Sequence, residues 1–195
     1  MTALLATTYF GPVQWYQKLY RAEAAVIDAG EPFLKQSYRN RCVIAAANGP
    51  QALVVPVEKA RRVRDVRISD HGNWRHQHWH ALLSAYGDSP FFDYYQDDLR
   101  PFFEARWEFL YDYNMAILEK MCELLDIRPR LVESAGDDAA VTDWRAAIHP
   151  KHPLPDGDFQ PRRYYQVYGE RHGFLPNLSI LDLLLNMGPE SIFYL

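Results

Sequence analysis

The first thirty residues constrain the fold of this chain more than any other stretch. Ala3–Thr8 is an apolar run of strand length, and Tyr9-Phe10-Gly11-Pro12 ends it with turn-forming residues. Val13–Arg21 then carries apolar side chains at helical spacing, and a second apolar run, Ala24–Asp28, follows. A strand, a short helix and a second strand in this order predict a βαβ unit with a parallel strand pair.

The same unit suggests where a ligand would bind. In α/β sheets, ligands occupy the crevice outside the carboxyl ends of the parallel strands. Tyr9 directly follows the first predicted strand, and Asp28 ends the second. We therefore expect both side chains to contact a substrate.

The middle of the chain predicts a β-hairpin. The apolar runs Cys42–Ala47 and Ala52–Val57 flank Asn48-Gly49-Pro50-Gln51. Asn-Gly between two apolar runs is a strong hairpin signal, and Pro50 extends the connection to a four-residue loop.

Helical patterns dominate the next part of the chain. One helix is predicted over Trp74–Tyr86, and a longer one begins at Pro101 and continues to about Ile127, with apolar side chains every three or four residues. Ala135–Gln160 is polar and is predicted to be a long connection, which in a compact domain is often functional. The expected fold is α/β, a single domain over residues 1–195. Its mixed, mostly parallel sheet, with a Rossmann-like N-terminal βαβ unit and a hairpin, is flanked by helices that include one long amphipathic helix.

The strongest candidate for an anion site is the stretch from Lys35 to Cys42, which carries three cations just before an apolar run. Arg39 and Arg41 are two residues apart, so on an extended chain they would point to the same face. The planar fork of arginine suits phosphate or carboxylate. We therefore expect Lys35, Arg39 and Arg41 to bind an anion. The alternative is a solvated loop held by structural salt bridges, and spacing alone favours it.

The overall charge limits the partners. The formal net charge is -4, so no general attraction to nucleic acid or to an anionic membrane is expected, and an anion site must be local. No apolar run approaches the ~18 residues of a membrane span. Residues 1–6 lack the charged and apolar regions of a secretory signal. A cytoplasmic protein is expected.

No metal or cofactor motif stands out. His76 and His80 are one helical turn apart and could share a metal, but no third ligand has helical spacing to them. Glycine-rich nucleotide motifs, the zinc-protease motif and the CxxC motif do not occur. The sequence therefore predicts no metal site and specifies no cofactor.

The C-terminal part of the chain contains a further polar pair. Asp182 and Asn186 are one turn apart on a short predicted helix whose other face is rich in leucine. The two side chains could hold a ligand group together. The alternative, hydrogen bonding to a neighbouring loop, is equally compatible with the spacing.

Several stretches together resemble the WbqC-like family, and the resemblance covers nearly the whole chain. Members of that family occur among genes for O-antigen and other surface polysaccharides, and transfer of glycine or another aminoacyl group to an amino sugar has been suggested for them. The resemblance implies a biosynthetic pathway more than one reaction. The matching stretches are Tyr9-Phe10-Gly11-Pro12 to Tyr16, the strand ending at Asp28, Lys35 to Arg41, Val55-Pro56-Val57, Trp74 to Tyr86 with His78, Pro90-Phe91-Phe92, and Asn177–Glu190.

The resemblance leads to two hypotheses. In the first, the protein is a transferase acting on a nucleotide-activated amino sugar, with Lys35, Arg39 and Arg41 on the phosphates and Asn40 as an orienting group. Acyl transfer to an amine needs a base, and His78 and Asp182 are the candidates. In the second, the protein is a non-catalytic ligand-binding or scaffold protein of the same pathway.

Overall fold

The computed structural model describes residues 1–136 and 140–195, and this part of the chain forms a mixed α/β fold. The strands are β1 (Thr2–Leu5), β2 (Ala24–Ile27), β3 (Arg41–Ala46), β4 (Gly49–Val54) and β5 (Val141–Asp143). The α-helices are α1 (Val13–Arg21), α2 (Trp74–Tyr86), α3 (Phe92–Leu99), α4 (Pro101–Glu104), α5 (Leu110–Leu124), α6 (Gly169–His172) and α7 (Ile180–Met187), and 3-10 helices cover Val63–Asp65 and Gly188–Tyr194.

The predicted βαβ unit is confirmed. β1 and β2 pair in parallel, and α1 connects them. β1 also pairs in parallel with β5 on its other side, which gives the strand order β2-β1-β5. β5 was not predicted, because its three residues lie within the polar stretch interpreted as a connection. Trp15 of α1 fixes the helix to the end of β1 by donating its indole N–H to the carbonyl of Ala6, at 2.9 Å.

The hairpin is present as a separate two-stranded sheet, and its turn is tighter than predicted. Ala46 pairs with Gly49, so only Ala47 and Asn48 lie between the strands. Gly49 adopts a φ of 110°, a conformation that glycine reaches without steric cost. The chain therefore reverses before Pro50, which lies within β4, and the predicted four-residue loop is wrong.

The long predicted helix is interrupted near its start. α4 ends at Glu104, and the chain is not helical again until α5 begins at Leu110. In this segment the Glu108 carbonyl accepts the N–H of Ile68, at 2.9 Å. Pairing with a distant stretch thus replaces helix, and the prediction of one helix from Pro101 is wrong. α5 is the long amphipathic helix, and its buried face includes Ile117 and Met121.

α7 lies at the centre of the structure, and its residues Ile180 to Asn186 are all buried. Ser179 caps it, because its hydroxyl accepts the N–H of Leu181 and donates to the Phe10 carbonyl at 2.7 Å. The N–H of Ser179 also donates to Val43 of β3. α7 therefore joins the hairpin to the turn that follows β1. No helix in the described residues is long and apolar enough to cross a membrane.

The end of α7 generates a stability prediction. Gly188 has a φ of 55°, and a Cβ there would lie 2.5 Å from a ring atom of Phe91. We expect Gly188→Ala to lower the free energy of unfolding in urea by about 1–3 kcal/mol, through strain and overpacking. Gly157→Ala is the control, since no atom of the described residues beyond its chain neighbours lies within 4 Å of its added Cβ. Equal stability of the two variants would contradict the packing described here.

Candidate functional site

The three parallel strands end at one edge of their sheet, and a candidate site lies there. The N–H of Asp28 donates to the Leu5 carbonyl, and the N–H of Trp144 donates to the Leu4 carbonyl, so the chain leaves β2 and β5 beside the end of β1. β1 is the central strand of the three, and the later strands β2 and β5 lie on opposite sides of it. This is the topological switch point at which α/β sheets bind ligands.

Arg145 bridges the strand ends at this edge. Its Nη1 lies 2.5 Å from Asp28 Oδ2, and its Nη2 lies 2.6 Å from Asp143 Oδ2. Hydrogen bonding to Arg145 lowers the pKa of Asp143 although its partial burial opposes this. Asp28, a predicted substrate contact, thus has an internal cationic partner. It also lines a depression of about 440 Å³ together with Gly30 and Tyr111.

Arg39 forms a buried ion pair with Glu31. Its Nε lies 2.7 Å from Glu31 Oε1, its Nη2 lies 2.5 Å from Glu31 Oε2, and both side chains are about 5% exposed. Burial raises the pKa of Glu31, and the bonds from Arg39 oppose that rise. The guanidinium predicted to bind an anion therefore faces a carboxylate of the protein, as in the alternative of a structural salt bridge.

The chain around Arg39 is not extended. Residues 35–40 form turns and bends, and β3 begins only at Arg41. Strand alternation therefore does not place Arg39 and Arg41 on one face, because Arg39 precedes the strand. Asn40 is buried, and its Nδ2 donates to the Val55 carbonyl at 2.9 Å. Its own carbonyl accepts the Val55 N–H, so Asn40 fixes the entrance of the hairpin.

Arg41 has a different environment from Arg39. It is partly buried, and its Nε is buried without a hydrogen-bond partner among the described residues. His149 lies nearby. Burial lowers the pKa of His149, and the charges of His152, Arg39, Lys151 and Arg41 lower it further. We call Arg41, His149, Lys151 and His152 the basic group.

Hydrogen bonds fix the orientation of His149 within the basic group. Its Nδ1 lies 3.1 Å from the backbone nitrogens of Lys151 and His152, and both N–H groups donate to it. In the neutral ring, Nε2 therefore carries the proton and is a donor. His149 thus suits an anionic oxygen and is not placed to act as a base through Nδ1.

The turn that contains Lys35 lies next to the basic group. Lys151 Nζ donates to Gln36 Oε1 at 2.7 Å, and the neighbouring Lys35 is exposed. Within residues 1–136 and 140–195, no carboxylate lies within ion-pairing distance of Lys35, Arg41 or Lys151. These cations therefore keep the capacity to bind an external anion.

The predicted contact Tyr9 and the predicted base His78 meet in the core. The Tyr9 hydroxyl lies 2.8 Å from His78 Nδ1, and the two residues are 0% and 6% exposed. Burial lowers the pKa of His78 to about 4, although the backbone of Val54 opposes this. His78 is therefore neutral at pH 7, and its Nδ1 is occupied by Tyr9.

The predicted pair Asp182 and Asn186 is also internal. The Asp182 carboxylate accepts hydrogen bonds from Tyr86 (2.8 Å), Tyr164 (2.6 Å) and Gln166 (2.8 Å), and the residue is 0% exposed. Burial raises its pKa, while these three bonds oppose the rise. Asn186 Nδ2 donates to the backbone carbonyl of Asp182. The contacts match the alternative of internal hydrogen bonding, and the catalytic role of Asp182 stays a prediction.

Four residues of the candidate site that the sequence did not single out come from the predicted connection Ala135–Gln160, of which residues 137–139 lie outside the described residues. Arg145, His149, Lys151 and His152 all come from this stretch. The unusual length of the polar connection was the signal that it contributes to function. Among the described residues, no group of three or more His, Cys, Asp or Glu side chains is placed to hold a metal ion.

The Glu31–Arg39 pair yields a prediction by a double-mutant cycle. We expect Glu31→Gln and Arg39→Gln each to lower the free energy of unfolding in urea by about 3 kcal/mol, because each leaves a buried charge without its partner. The double variant should lose much less than the sum. The control is the exposed pair Arg67–Glu108, whose disruption should cost less than about 1 kcal/mol. Additive losses at Glu31 and Arg39 would contradict the ion pair.

The buried imidazole of His78 predicts a pH dependence of stability. Between pH 6.5 and about 4, the unfolded chain takes up a proton at this position and the folded chain does not, so stability falls as the pH falls. We expect His78→Gln to remove up to about 3 kcal/mol of that loss, measured by urea unfolding at several pH values. His71→Gln, at an exposed histidine, should leave the dependence unchanged. Parallel profiles for wild type and His78→Gln would contradict the assignment.

Comparison with known proteins gives a family and a relative for this chain but no solved structure. The chain is 29% identical to the uncharacterized protein Rv1507c of Mycobacterium tuberculosis, in an alignment that covers 84% of this chain and 83% of that protein. No solved structure matches the chain. The model of the WbqC-like protein family matches residues 7–149, which include Arg39, Arg41 and His149. The match covers most of the chain, and the protein therefore belongs to the WbqC-like family.

Proposed function

We propose that this protein binds a nucleotide-activated amino sugar through the basic group and transfers an aminoacyl group, such as glycine, to it during surface polysaccharide biosynthesis. One observation carries the binding part of this proposal. Lys35, Arg41 and Lys151 have no carboxylate partner among the described residues, and they belong to two segments joined by the bond from Lys151 Nζ to Gln36 Oε1. The same turn contacts the edge of the parallel sheet, where Arg39 Nη2 donates to the Arg145 carbonyl at 3.4 Å. Membership of the WbqC-like family supports the choice of pathway.

The chemistry of the basic group fits a diphosphate. Arg41 offers a guanidinium whose Nε has no partner within residues 1–136 and 140–195, and a guanidinium can bind two phosphate oxygens at once. His149 offers a neutral N–H donor, and Lys151 a compact positive charge. Arg39 contributes little positive potential, because Glu31 neutralises it. The site would thus bind phosphate through Arg41 rather than through Arg39.

In the transfer step the sugar amine attacks the carbonyl carbon of an activated aminoacyl donor, an amide bond forms, and the bond from the acyl group to the donor's leaving group breaks. The step needs a base for the proton of the attacking amine and hydrogen-bond donors for the developing oxyanion. The predicted bases, His78 and Asp182, have internal partners in the core. This observation favours a second candidate function, a non-catalytic protein of the same pathway that binds the nucleotide sugar. Binding and catalysis therefore have to be tested separately.

Calorimetry with UDP-N-acetylglucosamine tests the binding. We expect Arg41→Gln to weaken the affinity at least tenfold, or about 1.4 kcal/mol, because a charged contact to phosphate is lost. Arg128→Gln is the matched control, since Arg128 is exposed and lies just before the segment that pairs with the start of β2. Equal affinities for wild type and a folded Arg41→Gln variant would contradict the site.

A thermal-shift panel of nucleotide sugars separates ligand binding from a scaffold role. A ligand that binds the native state raises the melting temperature, and the rise should be smaller for Arg41→Gln. A scaffold that binds none of the panel would show no rise. Incubation of the protein with a nucleotide-activated amino sugar and glycyl donors, followed by mass spectrometry, then distinguishes a transferase from a binding protein.

A further inference from the structure

A second cleft is lined by α2, a helix that contributes no residue to the basic group. It has a volume of about 660 Å³, within the range of small-molecule sites, and shares no residue with the basic group. The residues of α2 form one wall, and residues of α3 and α4 form the other. The proposed function uses none of these residues.

The cleft has a fixed aromatic and apolar surface. Trp79, Leu83 and Phe103 line it. The ring of Trp79 lies 5.6 Å from that of Phe103 and 5.9 Å from that of Phe92, between centroids, so neighbouring rings hold it in place. Trp79 is only partly buried. An indole that is fixed and partly exposed offers a flat apolar face together with a polar N–H, and this combination suits the C–H face of a sugar ring.

Arg75 provides a preorganised donor in the same cleft. Its Nη1 lies 2.8 Å from Asp70 Oδ1, its Nε donates to the Ala105 carbonyl, and its guanidinium lies over the Trp74 ring at 4.5 Å. Its Nη2 is buried and has no partner among the described residues. Three contacts thus hold the guanidinium, while the two N–H groups of Nη2 have no acceptor among the described residues.

The charges around the cleft favour an anion. Arg75, Arg100 and Arg106 line it together with two carboxylates, Asp70 and Glu104, so arginines outnumber acids. Asp70 is shared between Arg75 and Arg106, at 2.8 and 3.5 Å. One positive charge is therefore left without a counter-charge in the lining.

The first turn of α2 adds further donors. The backbone N–H groups of Trp74, Arg75 and His76 have no acceptor among the described residues, and the turn contains no acidic residue. All three residues line the cleft. Free N–H groups and the helix dipole both favour a negative group beside Arg75.

We propose that this cleft binds an acidic sugar, a single pyranose ring that carries one carboxylate or phosphate. The ring lies on Trp79, and the acid group is bound by Arg75 Nη2 and the first turn of α2. The inference does not depend on the proposed function, because the residues and the expected readout are separate from the basic group.

The indole N–H resonance of Trp79 is the most direct readout. In ¹⁵N-labelled protein, which has five tryptophans, Trp79→Phe identifies that resonance. We expect titration with glucuronic acid or with glucose 1-phosphate to shift this resonance until it saturates. The ligand with the higher affinity shows whether the site prefers a carboxylate or a phosphate. Glucose should bind at least tenfold more weakly. Sodium sulfate, an anion without a ring, should not reproduce the shift.

Variants complete the test. Arg75→Gln should weaken the acidic sugar at least tenfold, and Arg41→Gln should leave its affinity unchanged. Arg106→Gln, at a side chain that is 81% exposed, gives a milder loss in case Arg75→Gln does not fold. The proposal is overturned if neither acid moves the Trp79 resonance, if glucose moves it with equal affinity, or if Arg75→Gln and Arg106→Gln both bind as wild type does.

Discussion

The buried pair between Glu31 and Arg39 is the interaction on which the candidate site depends. Removing two charges from water costs free energy, which close pairing offsets. Glu31 and Arg39 are paired by two parallel hydrogen bonds. The carbonyl of Arg39 also accepts a bond from Asn114 of α5. The turn before β3 is therefore fixed at both the side chain and the backbone. Arg41, two residues later, is held at the start of β3, and its Nε has no partner in the part of the chain that the structure describes.

Neutralised and free cations are separated around the sheet edge. Arg145 is balanced by Asp28 and Asp143, and a second buried pair, Lys18 with Asp156 at 2.8 Å, attaches the chain beyond β5 to α1. These pairs hold the segment that carries His149 without adding positive charge, since Lys18–Asp156 is neutral and Arg145 is paired with two carboxylates. A chain with a net charge of -4 can thus keep a local positive potential at the basic group.

The sequence predicted the parts of the fold that depend on local patterns. Helical spacing located α1 and α2. β5 was missed because three residues of a polar stretch pair with β1, which is far away in the sequence. The break before α5 was missed because Glu108 pairs with Ile68, a contact that no local pattern encodes.

The candidate site shows the same limit. The sequence identified the basic stretch, but it gave Arg39 and Arg41 equal roles, because neither burial nor the partner Glu31 is visible in their spacing. His78 and Asp182 were chosen as bases by residue type, and only the tertiary structure shows their tyrosine partners. His149 was missed because its cationic neighbours come from two distant parts of the chain.

Anomalous diffraction from crystals soaked in sodium tungstate would test the central claim most directly. Tungstate is a doubly charged oxyanion that resembles phosphate, and its metal centre is located independently of any structural interpretation. We expect an anomalous peak within hydrogen-bonding reach of Arg41 Nε and His149 Nε2, with Arg39 still bound to Glu31. Tungstate bound elsewhere on the protein, with no peak beside Arg41 and His149, would contradict it.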